Sequence, residues 1–175
     1  MTWQITPISV ITMLAAVAAG ATAIETWRHR SARGGLQLAL LLVAITEWCA
    51  SVTLESAAVG IPAKVFWSKA EYVGLTCSIT LLLQFALVYS QQDRWLARWR
   101  IHLLWAIPAT FILLAWTNEL HGLLWPSLVM APGEGNVLIY GHGPVFFVGG
   151  AFYTLVMLLS AALLLIPMHN MPRLY

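Results

Sequence analysis

Five apolar runs, each about 16 to 22 residues long, alternate with short polar links along the chain. A hydrocarbon core about 30 Å thick needs roughly 20 apolar residues in helical conformation. The pattern therefore predicts an all-α, polytopic transmembrane bundle of about five helices. The first run could be a signal peptide, but the N-terminal sequence MTWQITP carries no positively charged side chain. The run is therefore assigned as a transmembrane helix. The runs cover residues 5–24, 36–54, 72–89, 101–116 and 145–166.

The composition agrees with a chain whose main solvent is lipid. Of its 175 residues, 60% are hydrophobic and 9% are charged, which is too few charges to cover a soluble domain. The formal charge of +2 and the scattered basic residues do not indicate nucleic-acid binding. The lipid bilayer is thus the first predicted partner.

Arginines collect on one side of the predicted bundle. Three lie in the first link, three lie in the third link and one follows the last run, whereas the opposite side has only Lys64 and Lys69. The positive-inside rule places the arginine side in the cytoplasm, so five crossings put the N-terminus outside and the C-terminus inside. The arginines are Arg28, Arg30, Arg33, Arg94, Arg98, Arg100 and Arg173.

Residues 117–144 form one long stretch without an apolar run, which this orientation places outside. Long ordered loops between rigid elements often carry function. Asn118, Glu119 and His121 offer polar groups beside tryptophans and could bind a small molecule against an aromatic wall. A capped helix end at the membrane interface is the simpler alternative.

Glu47 is the most costly residue to place, because it lies well inside the second run, where a carboxylate must be paired, protonated or facing a cavity. It is either a stimulus-responsive group or a hydrogen-bonded residue that locks helix packing. Glu55 lies near the same helical face. Its proximity to Lys69 and Glu71 suggests a solvated surface pair.

The third run carries a polar stripe at four-residue spacing, formed by Tyr72, Thr76, Thr80 and Gln84. This face is expected to point inward. The sequence contains no metal-ligand cluster, phosphate-binding glycine loop or paired nucleophile and base, so no enzyme activity, metal or cofactor is predicted.

Several segments resemble the seven-transmembrane N-terminal sensor region of bacterial histidine kinases. They are ITEWCASVTLE, FWSKAEYVG, QFALVYS, TNELHGLLW and the closing MPRLY, which looks like the approach to a sixth helix. The resemblance covers nearly the whole chain, which stops where that family continues through two more helices to an output domain. Tyr72 and Thr76 are expected to serve helix packing or the family motif. The positions that match the family pattern are Glu47, Trp48, Glu55, Thr117, Asn118, His121, Trp125 and Tyr153.

The resemblance implies a multi-pass sensory input module of a two-component signalling system in the cell inner membrane, without its own kinase domain. Such a module would respond to a small-molecule or membrane-borne stimulus, as a homodimer or with other membrane subunits. Two alternatives stay open: a structural or assembly subunit of a larger complex, and a small transporter or channel. The candidate sensing residues are Glu47, Glu55, Asn118, Glu119 and His121.

Overall fold

The computed structural model describes residues 2–96, 98–132 and 136–170. Within these ranges, five helices are long and apolar enough to cross a membrane, which confirms the predicted helical bundle and a multi-pass membrane protein. Arg173 and the segment MPRLY lie outside the described residues. The helices are α1 (Pro7–Arg28), α2 (Gly35–Ala57), α3 (Ile61–Tyr89), α4 (Arg98–Trp116), the short α5 (Asn118–His121) and α6 (Pro144–Asn170).

Helix α3 is the centre of the bundle. It packs against α2, α4 and α6. Of the residues in its most apolar 18-residue segment, 56% are buried, compared with 11–22% in the corresponding segments of the other spanning helices. The polar stripe faces inward as expected: Thr76 and Thr80 are buried, and each hydroxyl donates to the backbone carbonyl four residues earlier. These threonines therefore satisfy their own hydroxyls rather than line a water-filled path.

Close contacts between α1, α2 and α3 depend on small residues. Gly20 of α1 faces the side chain of Thr46, and Gly74 of α3 lies where any larger side chain would collide with the backbone of α2. Ala16 of α1 is also buried, as small residues at close helix contacts commonly are. These three helices thus form the tightly packed half of the bundle.

Helix α3 begins eleven residues before the apolar run that predicts it. Gly60, with φ of 97°, turns the chain sharply, and Pro62 near the first helical position favours starting a helix there. The 29 residues of α3 span about 43 Å, longer than a hydrocarbon core. Hydropathy missed the first turns because they carry Lys64 and Lys69.

The stretch between α4 and α6 contains more order than the single loop predicted. Besides α5, it forms an antiparallel hairpin of β1 (Leu128–Met130) and β2 (Leu138–Tyr140). Helix α6 also continues through Pro167, beyond the predicted run that ends at residue 166. Neighbouring segments in membrane proteins can accommodate such a proline.

The bundle has two distinct ends. The hairpin end comprises the start of α1, the α2–α3 turn, α5 and the hairpin. The arginine end comprises the α1–α2 link and the segment from Tyr89 to Arg100. The N-terminal segment is attached to the hairpin end by two backbone hydrogen bonds. The Gln4 amide donates to the Ala57 carbonyl at 2.8 Å, and the Val59 amide donates to the Thr2 carbonyl at 3.0 Å.

Candidate functional site at the hairpin end

Lys64 is the most deeply buried charged side chain of the described residues, with 1% of its surface exposed. It lies one turn into α3 and points toward the last turn of α2. Its Nζ donates to the Glu55 carbonyl at 2.8 Å and lies 3.7 Å from Glu55 Oε1. A buried ammonium is costly without such partners, so the ends of α2 and α3 are coupled through this pair.

Tyr140 of β2 joins the pair from the other side. Its hydroxyl donates to Glu55 Oε1 at 3.2 Å and forms a second, very short hydrogen bond with the Ser68 hydroxyl. Burial raises the pKa of Tyr140 above its ordinary value, so the phenol stays protonated and can donate. Glu55 therefore receives one contact from α3 and another from the hairpin.

A cavity of about 440 Å³ opens beside these groups. We call it the outer cavity after the side on which the arginine distribution predicts this end to lie. Its charged groups come from Lys64 and Glu55, and its hydroxyl groups come from Tyr140, Ser56 and Thr6. The rest of the wall comes from residues 4–8 at the start of α1 and from residues 136–138 of the hairpin. Its volume lies in the range of small-molecule sites, and its mixture of apolar wall and few polar groups is typical of them.

The hairpin is held over the cavity by Asn136, whose side-chain amide donates to the Ala58 carbonyl at 3.1 Å and to the Ser56 carbonyl at 3.4 Å. The two residues joined by each of these hydrogen bonds lie about 80 positions apart in the sequence. The cavity wall is thus built from segments that are far apart in the chain.

An aromatic row connects the outer cavity to the helical core. Trp125, with 6% of its surface exposed, packs on Tyr72 of α3 at 5.3 Å between ring centroids and on Tyr140 at 5.4 Å. Farther along, Tyr153 of α6 packs on Phe111 of α4 at 5.3 Å. A movement of the hairpin would therefore press directly on α3.

Asn118 organises the loop after α4. Its side-chain oxygen accepts from the amides of Leu124 and Trp125 at 3.0 and 3.1 Å, and its Nδ2 donates to the Trp125 carbonyl at 2.9 Å. His121 assists: its Nδ1 accepts from the Leu123 amide at 3.0 Å. Both side chains are engaged within the loop and do not line the outer cavity.

Glu119 pairs with Lys69 rather than with a residue of the cavity. Lys69 Nζ lies 2.5 and 2.7 Å from the two carboxylate oxygens, and this hydrogen bonding lowers the pKa of Glu119. The Glu119 side chain is 61% exposed. Lys69 thus meets Glu119 and not Glu55, so the surface pair predicted from the sequence has a different acidic partner.

Glu47 lies at the crossing of α2 and α3, away from the outer cavity. Its Oε1 accepts from the Ser51 hydroxyl at 2.9 Å, and its other oxygen is buried against Gly74 without a donor among the described residues. The five predicted sensing residues thus fall in three places: Glu55 at the cavity, Glu47 at the crossing and the remaining three around the loop.

Sequence reasoning missed Lys64, Ser68 and Tyr140. The first two are four residues apart and share one face of α3. The Gly60 and Pro62 start signal would have placed them on that helix. No sequence signal places Tyr140, because its partners come from distant segments. The residues that the structure describes contain no group of three or more His, Cys, Asp or Glu side chains able to hold a metal ion.

A comparison with known families gives a match over most of the chain. Residues 11–175 match the model of the N-terminal 7TM region of histidine kinase, which describes the sensory membrane region and not the catalytic domain of these receptors. No curated protein and no solved structure matches the chain. Because the family match covers nearly all of the sequence, this chain belongs to the family of histidine-kinase N-terminal 7TM regions.

Proposed function

We propose that this chain is the input module of a bacterial two-component receptor in the inner membrane, and that it binds its stimulus in the outer cavity. The observation that carries the proposal is the buried Lys64–Glu55 pair on the cavity wall, within a family of kinase sensor regions. The arginine distribution supports an external position for this end.

The chemistry of the wall suggests how a stimulus could act. Lys64 uses one N–H on the Glu55 carbonyl and keeps further donors, while Glu55 and Tyr140 supply an acceptor and a hydroxyl. A polar small molecule that hydrogen-bonds to this set would compete with the contacts between α2, α3 and the hairpin. Binding would thereby change the relative stability of two helix arrangements.

Transmission would run through α3, because this helix carries Lys64 at the cavity. It also packs against three of the other spanning helices, α2, α4 and α6. Glu47 and Gly74 mark a close α2–α3 contact along this path. Of the residues first proposed for sensing, Glu55 keeps that role. Glu47 is assigned to transmission, while Asn118, Glu119 and His121 are assigned to holding the loop.

The test expresses the chain with its native downstream sequence and measures stimulus-dependent kinase output in membranes. Glu55→Gln, Lys64→Met and Tyr140→Phe should abolish or strongly shift the response. Glu119→Gln and Lys69→Met provide a matched control, because they alter an ion pair of the same chemistry at the same end that does not line the cavity. The amount of each variant in the membrane is measured in parallel.

A normal response from all three cavity variants at normal abundance would reject the outer cavity as the sensing site. Loss of response in the control pair alone would move the site to the loop around α5. Retention of a constitutive, stimulus-independent output in the cavity variants would support the proposed division between sensing and transmission.

A further inference from the structure

A second cavity, of about 460 Å³, lies at the arginine end between α3, α4 and α6. Its wall is dominated by leucines, so we call it the leucine cavity. At membrane depth such a space favours apolar occupants, because its lining offers water few polar partners. Its leucines are Leu83, Leu87, Leu104, Leu159 and Leu163.

Arg100 lies at the rim of the leucine cavity. Its guanidinium carbon is 5.0 Å from the ring centroid of Trp95 and 5.3 Å from that of Trp99. Stacking on indoles engages the faces of the guanidinium and leaves its N–H groups, which lie in its plane, free to donate. Arg100 forms no hydrogen bond or ion pair with another described side chain.

The surroundings of Arg100 are those of a membrane interface. Trp95 and Trp99 are 52% and 62% exposed in the protein, as expected for indoles that lie at the level of lipid headgroups. Arg94, on the same link, is exposed as well. Positive charge at the rim and hydrocarbon inside together match a molecule with an anionic head and an apolar tail.

A second apolar space bordered by an arginine differs from the leucine cavity in the partner of that arginine. Between α1 and α2, a mostly apolar groove of about 710 Å³ extends from Trp27 and Arg28 at the same end to Glu47 in the middle of α2. There the guanidinium of Arg28 is 2.8 Å from Glu25, which neutralises it. An apolar space with an arginine is thus present twice, but of these two arginines only Arg28 has a carboxylate partner among the described residues.

We propose that the leucine cavity binds an anionic phospholipid, with the phosphate on Arg100 and the start of an acyl chain between α4 and α6. Arginine is well suited to a phosphate because its N–H groups can donate to two oxygens at once. Basic pockets between membrane helices are known to select anionic headgroups. The lipid would fill a gap between two helices that contact α3 separately.

The test uses the full chain purified in mild detergent, with phosphatidylglycerol or phosphatidylcholine of the same acyl composition added at equal concentration. Bound lipid is counted by native mass spectrometry. Phosphatidylglycerol should bind about fivefold more tightly than phosphatidylcholine, since one interfacial arginine makes a contribution of this size. Arg100→Gln should remove most of this preference.

Two matched controls separate charge from shape. Arg30→Gln removes another arginine that stacks on a tryptophan, at 5.1 Å from the Trp27 ring, but borders neither cavity, so lipid preference should be unchanged. Leu159→Trp fills the leucine cavity and should lower binding of both lipids. Leu158→Trp alters the adjacent exposed leucine, which does not line the cavity, and should not.

Several results would overturn the proposal. Equal binding of the two lipids by the unaltered chain would remove the headgroup selectivity. Full displacement of phosphatidylglycerol by millimolar inorganic phosphate would indicate a simple anion site. Lipid binding unaffected by Leu159→Trp would place the lipid elsewhere, and a polypeptide occupying the cavity in place of lipid would identify it as a protein contact. None of these outcomes depends on the function proposed for the outer cavity.

Discussion

The two ends of the bundle handle positive charge in opposite ways. At the hairpin end Lys64 is 1% exposed and bound to Glu55, whereas at the arginine end the side chain of Arg28 is 70% exposed beside Glu25. Burying a charge requires well-placed partners, while an exposed charge needs none. The hairpin end is therefore specified by contacts between particular residues, and the arginine end by the general preference of arginine for one side of a membrane.

Lys64→Met should have the largest effect on stability. It leaves the half-buried Glu55 carboxylate without its cation, and breaking a buried pair costs about 3–5 kcal/mol. We expect a clear drop in the midpoint of thermal unfolding in detergent. The double variant Lys64→Met with Glu55→Gln should recover part of the loss, because no uncompensated charge remains. A double variant no more stable than the single one would contradict a charge-based explanation.

Asn118→Ala should have the next largest effect and lower the free energy of unfolding by about 1–3 kcal/mol. The substitution leaves the amides of Leu124 and Trp125 without their acceptor inside a buried loop. His121→Ala serves as the control, because this exposed side chain accepts one hydrogen bond from the same loop. Unfolding midpoints of the two variants should differ clearly; equal midpoints would show that the loop is not held by Asn118.

Glu119→Gln should lower the free energy of unfolding by no more than about 1 kcal/mol at neutral pH, because the Glu119 side chain of the pair with Lys69 is largely exposed. The pKa of Glu119 is lowered in the folded protein, so the stabilisation is present above its ordinary pKa of 4.5. It is lost as the pH falls toward the lower, folded value. Unfolding midpoints of the unaltered chain and the variant should therefore converge between pH 7 and pH 3.5, and a constant difference would contradict the assignment.

Arg28→Gln should have the smallest effect, about 0.2–0.5 kcal/mol, because its partner Glu25 lies three residues earlier on an exposed helical face. The same unfolding assay measures it. An effect as large as that of Lys64→Met would erase the contrast between the two ends. We expect the arginine side to matter instead for topology, which labelling of cysteines placed at each end of the bundle would measure.

Much of the fold could be predicted from the sequence, but little of the candidate site. The apolar runs locate all five spanning helices, and the inward face of α3 follows from Thr76 and Thr80 at helical spacing. The start of α3 could not be found from hydropathy, because Lys64 and Lys69 interrupt it. Glu55 was identified as a candidate, yet its partners Lys64 and Tyr140 were not.

The sequence by itself determined the spanning helices and the arginine side, because a helix in lipid satisfies its backbone within one segment and topology follows from local charge. Only the tertiary structure decided that Glu55 meets Lys64 and Tyr140. Tyr140 lies 85 residues from Glu55, and no local pattern records which distant side chains will meet. The cavity exists because helix ends, hairpin and N-terminal segment pack together, which is a property of the whole chain.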